Sequence, residues 1–421
     1  MLFYLMNIVQ PKTTTRRGPM SHYFHFPRLF LLGLCWLWLF CFAGPGMARE
    51  GFLEPEELET TMFRLMDKWQ VHGVAVALIG GGQVVWEEGY GWADMEAWLP
   101  ALPDTVFQAA SVSKAVSAAV VLRLVQDGVL DLDEPVSGYL TRWQLPESGY
   151  DLDGVTLRRI LSHTAGLSVP GYMGFPPDQA VQTLEDSLSS AADADDRGVS
   201  VILPPGEQWV YSGGGYTLLQ LLVEEVTGRA FAQVAADLVR YPLEMNLSSF
   251  GDDSRLHGHQ ARSYTADNRV VPKRHFTALA AAGLWATAGD LARFAVALAE
   301  SAAGEGGQLE LRPELAQEMF LPQPGTENDF FFAGSRWGLG LGLLNLPDEQ
   351  GLLAFHPGAN PPAWHSLLAI LPGNTSEDSQ TRGFVILTNG EHGEELVLDA
   401  MCLWMEAVAA HGVAECVERT P

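Results

Sequence analysis

The sequence predicts an α+β fold built on an antiparallel sheet flanked by helices, with an all-helical region inserted into it. Three observations predict it. Short apolar strand patterns stand near both ends of the chain, at 74–91 and at 366–388. The first pair is joined by a glycine turn, the signature of an antiparallel hairpin. The long middle reads as helices separated by Gly and Pro turns, and strands flanking helices in this way mark an α+β domain.

Each element has a local reason. Val74 to Ile79 is an apolar run, Gly80-Gly-Gly-Gln83 is a turn, and Val84 to Tyr90 returns as the second strand. From Ser111 an almost wholly apolar stretch runs to Gly128 and reads as a buried helix. Leu157 to Ser162 is a short helix stopped at His163-Thr-Ala-Gly166. Thr217 to Thr227 is amphipathic and closed by Gly228. Leu284 to Leu298 reads as another helix, beginning near Thr287. Ser366 to Leu371 and Gly383 to Thr388 are short, apolar and bounded by turn residues, so they read as strands. Leu396 to Ala410 is a closing helix.

Composition narrows the function classes. The chain has 421 residues, 47% hydrophobic and 18% charged, which supports a sizeable core and argues against disorder. Its formal net charge is -26. A surface so acidic excludes nucleic acid as a partner, because a phosphate backbone needs a basic face. Residues 1–48 carry Lys12, Arg16, Arg17 and Arg28 and no acid. Arg28 precedes an apolar run from Leu29 to Ala43, followed by Gly46-Met47-Ala48. That is the layout of an export signal, with residues 49–421 as the mature domain of a periplasmic or secreted protein. The alternative is an uncleaved membrane anchor over 29–43, the one case in which a membrane is a partner. Cys402 and Cys416 remain after such cleavage and could pair in an oxidising compartment. No Cys/His cluster has metal-ligand spacing, and His257-Gly-His259 sits in a polar loop, so neither a metal nor another cofactor is expected.

The chemistry concentrates in Ser111-Val-Ser-Lys114. Residues 49–421 hold only three lysines, Lys68, Lys114 and Lys273. Lys114 stands at the start of an apolar helix, three residues after a serine. An ammonium there is costly unless partnered. A desolvated lysine beside a hydroxyl is a way to activate a nucleophile. Alone, S-x-x-K is a weak signal; its partners decide. Tyr211 follows a Pro-Gly turn and precedes Gly213 to Gly215. A phenol near an ammonium is expected to have a lowered pKa and to serve as a base. His356-Pro-Gly358-Ala359 precedes the strand of Ser366; its glycine lets a substrate lie along a strand edge, and the next amide can face an oxyanion. A G-x-S-x-G elbow is absent.

Over residues 50–400 the chain resembles the class C β-lactamase-related serine hydrolases. That group includes low-molecular-weight penicillin-binding proteins, D-aminopeptidases and family VIII-type esterases. The resemblance rests on Ser111-Val-Ser-Lys114, Tyr211-Ser-Gly213 and His356-Pro-Gly358. Leu161-Ser-His-Thr-Ala-Gly-Leu167, Pro205-Gly206, Gly283 to Ala288, Asp290 to Phe294 and Trp337-Gly-Leu-Gly340 support it. It implies a β-lactamase/transpeptidase-like fold and an acyl-enzyme on Ser111. Lys114 would move the serine proton and Tyr211 would serve the leaving group. The amides of Ser111 and Ala359 would form the oxyanion hole, and His163 would be structural. Two departures bear on substrate. Gly213 stands where the family often has Asn, and His356 where true β-lactamases have Lys. A neutral histidine offers no fixed charge to a carboxylate. The expected substrate is therefore a small ester or a peptide-like amide. A D-Ala-type carboxypeptidase or weak β-lactamase is the alternative, and a non-catalytic binding protein of the same fold is the second.

Overall fold

The computed structural model describes residues 55–346, 351–373 and 380–408. The expected export segment and Cys416 lie outside them; Cys402 is disulfide-bonded. No helix among the described residues is long and apolar enough to cross a membrane.

The described residues open with α1 (Pro55–Trp69), the hairpin β1 (Gly73–Gly80) and β2 (Gln83–Asp94), and the short β3 (Leu99–Pro100). Next come β4 (Phe107–Ala110), α2 (Ser113–Gln126), α3 (Leu157–Leu161), α4 (Leu184–Ser189), α5 (Gly213–Thr227) and α6 (Phe231–Ala235). The middle continues with β5 (Ser249–Phe250), β6 (Ser263–Tyr264), β7 (Val270–Val271), α7 (Leu279–Ala282) and β8 (Leu284–Ala286). Helices α8 (Ala288–Ala303) and α9 (Pro313–Glu318) lead to β9 (Arg336–Trp337) and β10 (Gly342–Asn345). The described residues close with β11 (Leu352–Asn360), β12 (Trp364–Leu371), β13 (Arg382–Thr388) and α10 (Gly393–Val408).

The large sheet has the order β3-β2-β1-β13-β12-β11-β10-β9, so its first and last strands in sequence, β1 and β13, are neighbours. Its ladders are antiparallel throughout. The period-two alternation of a strand sends its residues to two cores. Val74, Val76, Leu78, Leu367, Phe384 and Ile386 pack under α1 and α10. Ala75, Ala77, Ile79, Leu368, Ile370, Val385 and Leu387 face the helical region. Burial on both faces explains why these strands read as continuous apolar runs.

Several sequence expectations change. The inserted region is not purely helical: β4, β8 and β5 form a small sheet, and β6 pairs β7. Leu284 to Ala286 is the strand β8, and the helix begins only after the cap Thr287, whose side chain accepts from Asp290 N. Helix α5 starts four residues before Thr217, because the hydroxyl of Ser212 caps it by accepting from Gly215 N at 2.9 Å. His356 to Asn360 precedes the strand of Ser366, as expected, but is itself the end of a strand, β11. Helix α1 was not expected, although Leu58, Met62, Leu65 and Met66 are buried at helical spacing.

Phe384 on β13 stacks on Trp404 of α10, with ring centroids 5.8 Å apart. Phe384→Ala is expected to lower unfolding free energy by about 3–5 kcal/mol. Urea denaturation checks it; a loss below about 1 kcal/mol would mean that this second core does not carry the sheet.

Candidate active site

The turn from β4 into α2 places Ser111. Ala110 has φ 47°, a left-handed conformation that non-glycine residues adopt at a cost. Surrounding bonds hold it there: Ser113 Oγ donates to Ala110 O and accepts from Leu284 N at 3.0 Å, and Ser366 Oγ donates to Ala109 O at 2.8 Å. Ser111 thus sits just before the helix rather than inside it. The first turn is tight, with Lys114 N donating to Ser111 O at 2.9 Å.

That turn brings Lys114 under the serine. Its Nζ lies 3.0 Å from Ser111 Oγ and donates to Ala281 O at 2.7 Å. The side chain is 1% exposed and is covered by the rings of Tyr211 and Tyr216, centred 4.9 and 5.7 Å from Nζ. Burial without a carboxylate partner pushes its pKa down to about 7. Near neutral pH much of Lys114 is therefore an amine able to take a proton.

Tyr211 comes from the loop ahead of α5, and its ring is centred 4.9 Å from Lys114 Nζ on the wall that Ser111 lines. Burial raises its pKa, and the neighbouring Ser111 hydroxyl opposes that only in part. The expectation of a lowered tyrosine pKa is therefore corrected. The nearby lysine is itself neutralised by burial, so it supplies little field to stabilise a phenolate. Tyr211 is a neutral donor, and Lys114 is the group poised to accept.

His163 positions this loop. Its Nδ1 accepts from Ser212 N at 3.2 Å, its carbonyl accepts from Val210 N at 2.8 Å, and its ring lies 4.4 Å from that of Tyr211. Burial first, then Lys114, holds its pKa well below the ordinary histidine value. His356 is fully buried across the cluster, with Nδ1 2.7 Å from Pro357 O. Burial and then Lys114 bring it down to about 3. Both imidazoles are neutral, as expected for His356.

Strand β11 forms the opposite wall. Its ladder with β10 ends at Phe355, while its ladder with β12 runs on to Asn360. Among the described residues, the far edge from His356 to Asn360 is thus free of a strand neighbour. Pro357 has no N–H to give, which suits a residue whose backbone faces that free edge. Ala359, two residues on, presents its amide the same way. Gly358 approaches Ser111 closely: a Cβ there would lie 2.7 Å from Ala109 O and 3.1 Å from Ser111 N. Asn360 Nδ2 fixes the strand end by donating to Gln108 Oε1 at 2.8 Å and Ala282 O at 3.1 Å. The backbone amides of Ser111 and Ala359 can therefore converge on an oxyanion. Gly213 opens α5 beside the loop at Pro170; a Cβ there would meet Pro170 O at 3.1 Å, so an asparagine would require the loop to shift.

These residues line one cavity of about 460 Å³, containing Ser111, Lys114, Tyr211, Gly213, Gly358 and Ala359. His356 stands behind the wall. The sequence did not point to Ala281, whose carbonyl holds Lys114, or to Phe330, which stacks on Tyr211. A backbone acceptor and a loop aromatic leave no periodic signal.

The family model for Beta-lactamase matches residues 58–402. The chain belongs to the Beta-lactamase family. It is 32% identical over 197 residues to Penicillin-binding protein 4* of Bacillus subtilis (strain 168), covering 45% of this chain and 40% of that one. It is 26% identical over 223 residues to Protein flp of Staphylococcus aureus (strain MW2), covering 52% and 44%. The matches thus span less than half of each relative's length. Among solved structures it is similar to the octameric penicillin-binding protein homologue from Pyrococcus abyssi, with TM-score 0.69, 23% identity and coverage of 84% and 78%. It is also similar to SurE, with TM-score 0.65, 25% identity and coverage of 84% and 75%. The β-lactamase/transpeptidase-like fold is thereby established.

Gly358→Ala is expected to push β11 away from Ser111 and to lower the rate of fluorophosphonate labelling of Ser111 by about 10²-fold, the scale of losing an oxyanion donor. Labelling followed by mass spectrometry, with far-UV circular dichroism as the folding control, reads this. Unchanged labelling would mean that the β11 edge does not take part.

Proposed function

We propose that the protein is a serine hydrolase that cleaves small esters through an acyl-enzyme on Ser111. The contact of Lys114 Nζ with Ser111 Oγ at 3.0 Å, on a lysine whose pKa burial brings to about 7, carries this reading. Lys114 takes the proton of Ser111 Oγ as that oxygen bonds to the substrate carbonyl carbon. The carbonyl oxygen, now negative, faces the amides of Ser111 and Ala359. As the tetrahedral intermediate collapses, the bond to the leaving oxygen breaks and Tyr211 donates its proton to it. The phenolate recovers a proton from the Lys114 ammonium, which restores both groups. In the second half a water attacks the acyl carbon while its proton passes to the same Tyr211–Lys114 pair. Ser111 Oγ then leaves with a proton returned from that pair, freeing the acid.

The substrate class follows from what the wall lacks. Gly213 brings no side-chain amide to hold an acylamide, and His356 brings no charge to meet a carboxylate. Simple esters need neither and have a better leaving group than an amide. Peptide-like amides are the second reading, supported by the likeness to SurE, which has been solved with D-Leu.

Ser111→Ala is expected to abolish hydrolysis of p-nitrophenyl butyrate, and Lys114→Ala and Tyr211→Phe each to lower kcat by about 10²–10⁴. The native protein should show a higher kcat/KM on that ester than on nitrocefin. Full activity in Ser111→Ala would end the acyl-enzyme reading; faster nitrocefin turnover would end the ester assignment alone.

A further inference from the structure

Phe330 is the aromatic that the catalytic reading leaves unused. Its ring lies face to face on Tyr211, with centroids 4.8 Å apart and planes 14° apart. It is nevertheless 44% exposed and lines the cavity. The placement is built rather than incidental. Trp209 packs on it at 5.4 Å and Trp337 at 6.1 Å. Its amide donates to Asn328 Oδ1 at 3.0 Å, and Asn328 N donates to Ser335 O at 2.9 Å, closing the loop. Phe331 beside it also lines the cavity and anchors on Phe355 at 5.6 Å. Across the rim Met173 is 47% exposed and lines the same cavity. Exposed apolar side chains gathered at the mouth of a site offer their surface to a ligand.

Charge limits what that ligand carries. Among the described residues lining the cavity, the cations are Lys114 and Arg197. Lys114 is at work on Ser111, and Arg197 is paired with Asp195 at 2.9 Å. Asp193 and Glu394 also line the cavity, and neither is part of an ion pair among the described residues. A carboxylate on the bound group would meet acids and no unpaired guanidinium.

We propose that Phe330 is a specificity residue that seats an uncharged apolar group on the leaving side of the scissile bond. The substrate is then an ester of a hydrophobic alcohol. The side is fixed by Tyr211, and in this the inference rests on the proposed function: the group that receives the Tyr211 proton departs past the ring that covers Tyr211. Phe330 touches the departing chain and takes no part in the proton transfers.

Two isomeric esters, hexyl acetate and ethyl hexanoate, test the seat, because they share every atom and differ only in which side carries the chain. With the full chain, kcat/KM for hexyl acetate is expected to exceed that for ethyl hexanoate by about ten-fold, mainly through KM, a modest pocket discrimination. Phe330→Ala should bring the ratio close to one, and Phe330→Leu, which keeps apolar surface, should retain most of it. Preference for ethyl hexanoate, or a hexyl acetate preference that survives Phe330→Ala, overturns the proposal. Binding of the same esters to Ser111→Ala protein separates the two readings. Tighter hexyl acetate binding without turnover in the native protein removes the hydrolase reading and upholds the seat. Equal binding of both esters removes the seat.

Discussion

The site depends on the burial of one lysine without a counter-ion. Lys114 is 1% exposed, and a serine hydroxyl and a peptide carbonyl are its hydrogen-bond partners. In water an ammonium would hold its proton to well above neutral pH. Here desolvation shifts the balance, and the partners present suit an amine as well as an ammonium. The other features of the site protect this state. His163 and His356, the titratable imidazoles of the cluster, are themselves held neutral by burial and by Lys114. No carboxylate of the cavity wall is hydrogen-bonded to the amine.

The frame around the lysine explains why so many backbone positions matter. The strained Ala110 turn, the end of β11 and the carbonyl of Ala281 must meet within one small volume. They come from β4, from the large sheet and from α7, so the sheet and the helical region act together. Gly358 is the point of closest approach between them, and a methyl there has no room. The neutral Tyr211 fits the same logic. With the lysine uncharged, a phenolate would have no partner, so the tyrosine keeps its proton.

Much of this was legible in the sequence, for identifiable reasons. The β1–β2 hairpin showed because Gly81 and Gly82 take positive φ between two apolar runs. Strands β12 and β13 showed because they are buried on both faces. Ser111, Lys114 and Tyr211 showed because a rare lysine in an apolar helix and a tyrosine before a glycine run are unusual. Strand β11 did not show, because His356-Pro-Gly358 reads as a turn and only the ladder to β12 makes it a strand. The start of α5 was hidden by three glycines, which are poor helix formers until Ser212 caps them. The direction of the Tyr211 shift does not show in a sequence, which reveals that an ammonium is near but not that burial of the phenol raises its pKa.

The protonation state of Lys114 is the most direct test. Residues 49–421 contain three lysines, so ¹³C-labelled lysine gives few side-chain signals to resolve, and Lys114→Arg assigns the one in question. A pH titration of its Cε resonance in the folded protein should show a midpoint near 7, several units below that of an exposed lysine. A midpoint near 10 would mean that Lys114 keeps its proton at neutral pH, and the account of Ser111 activation would be wrong.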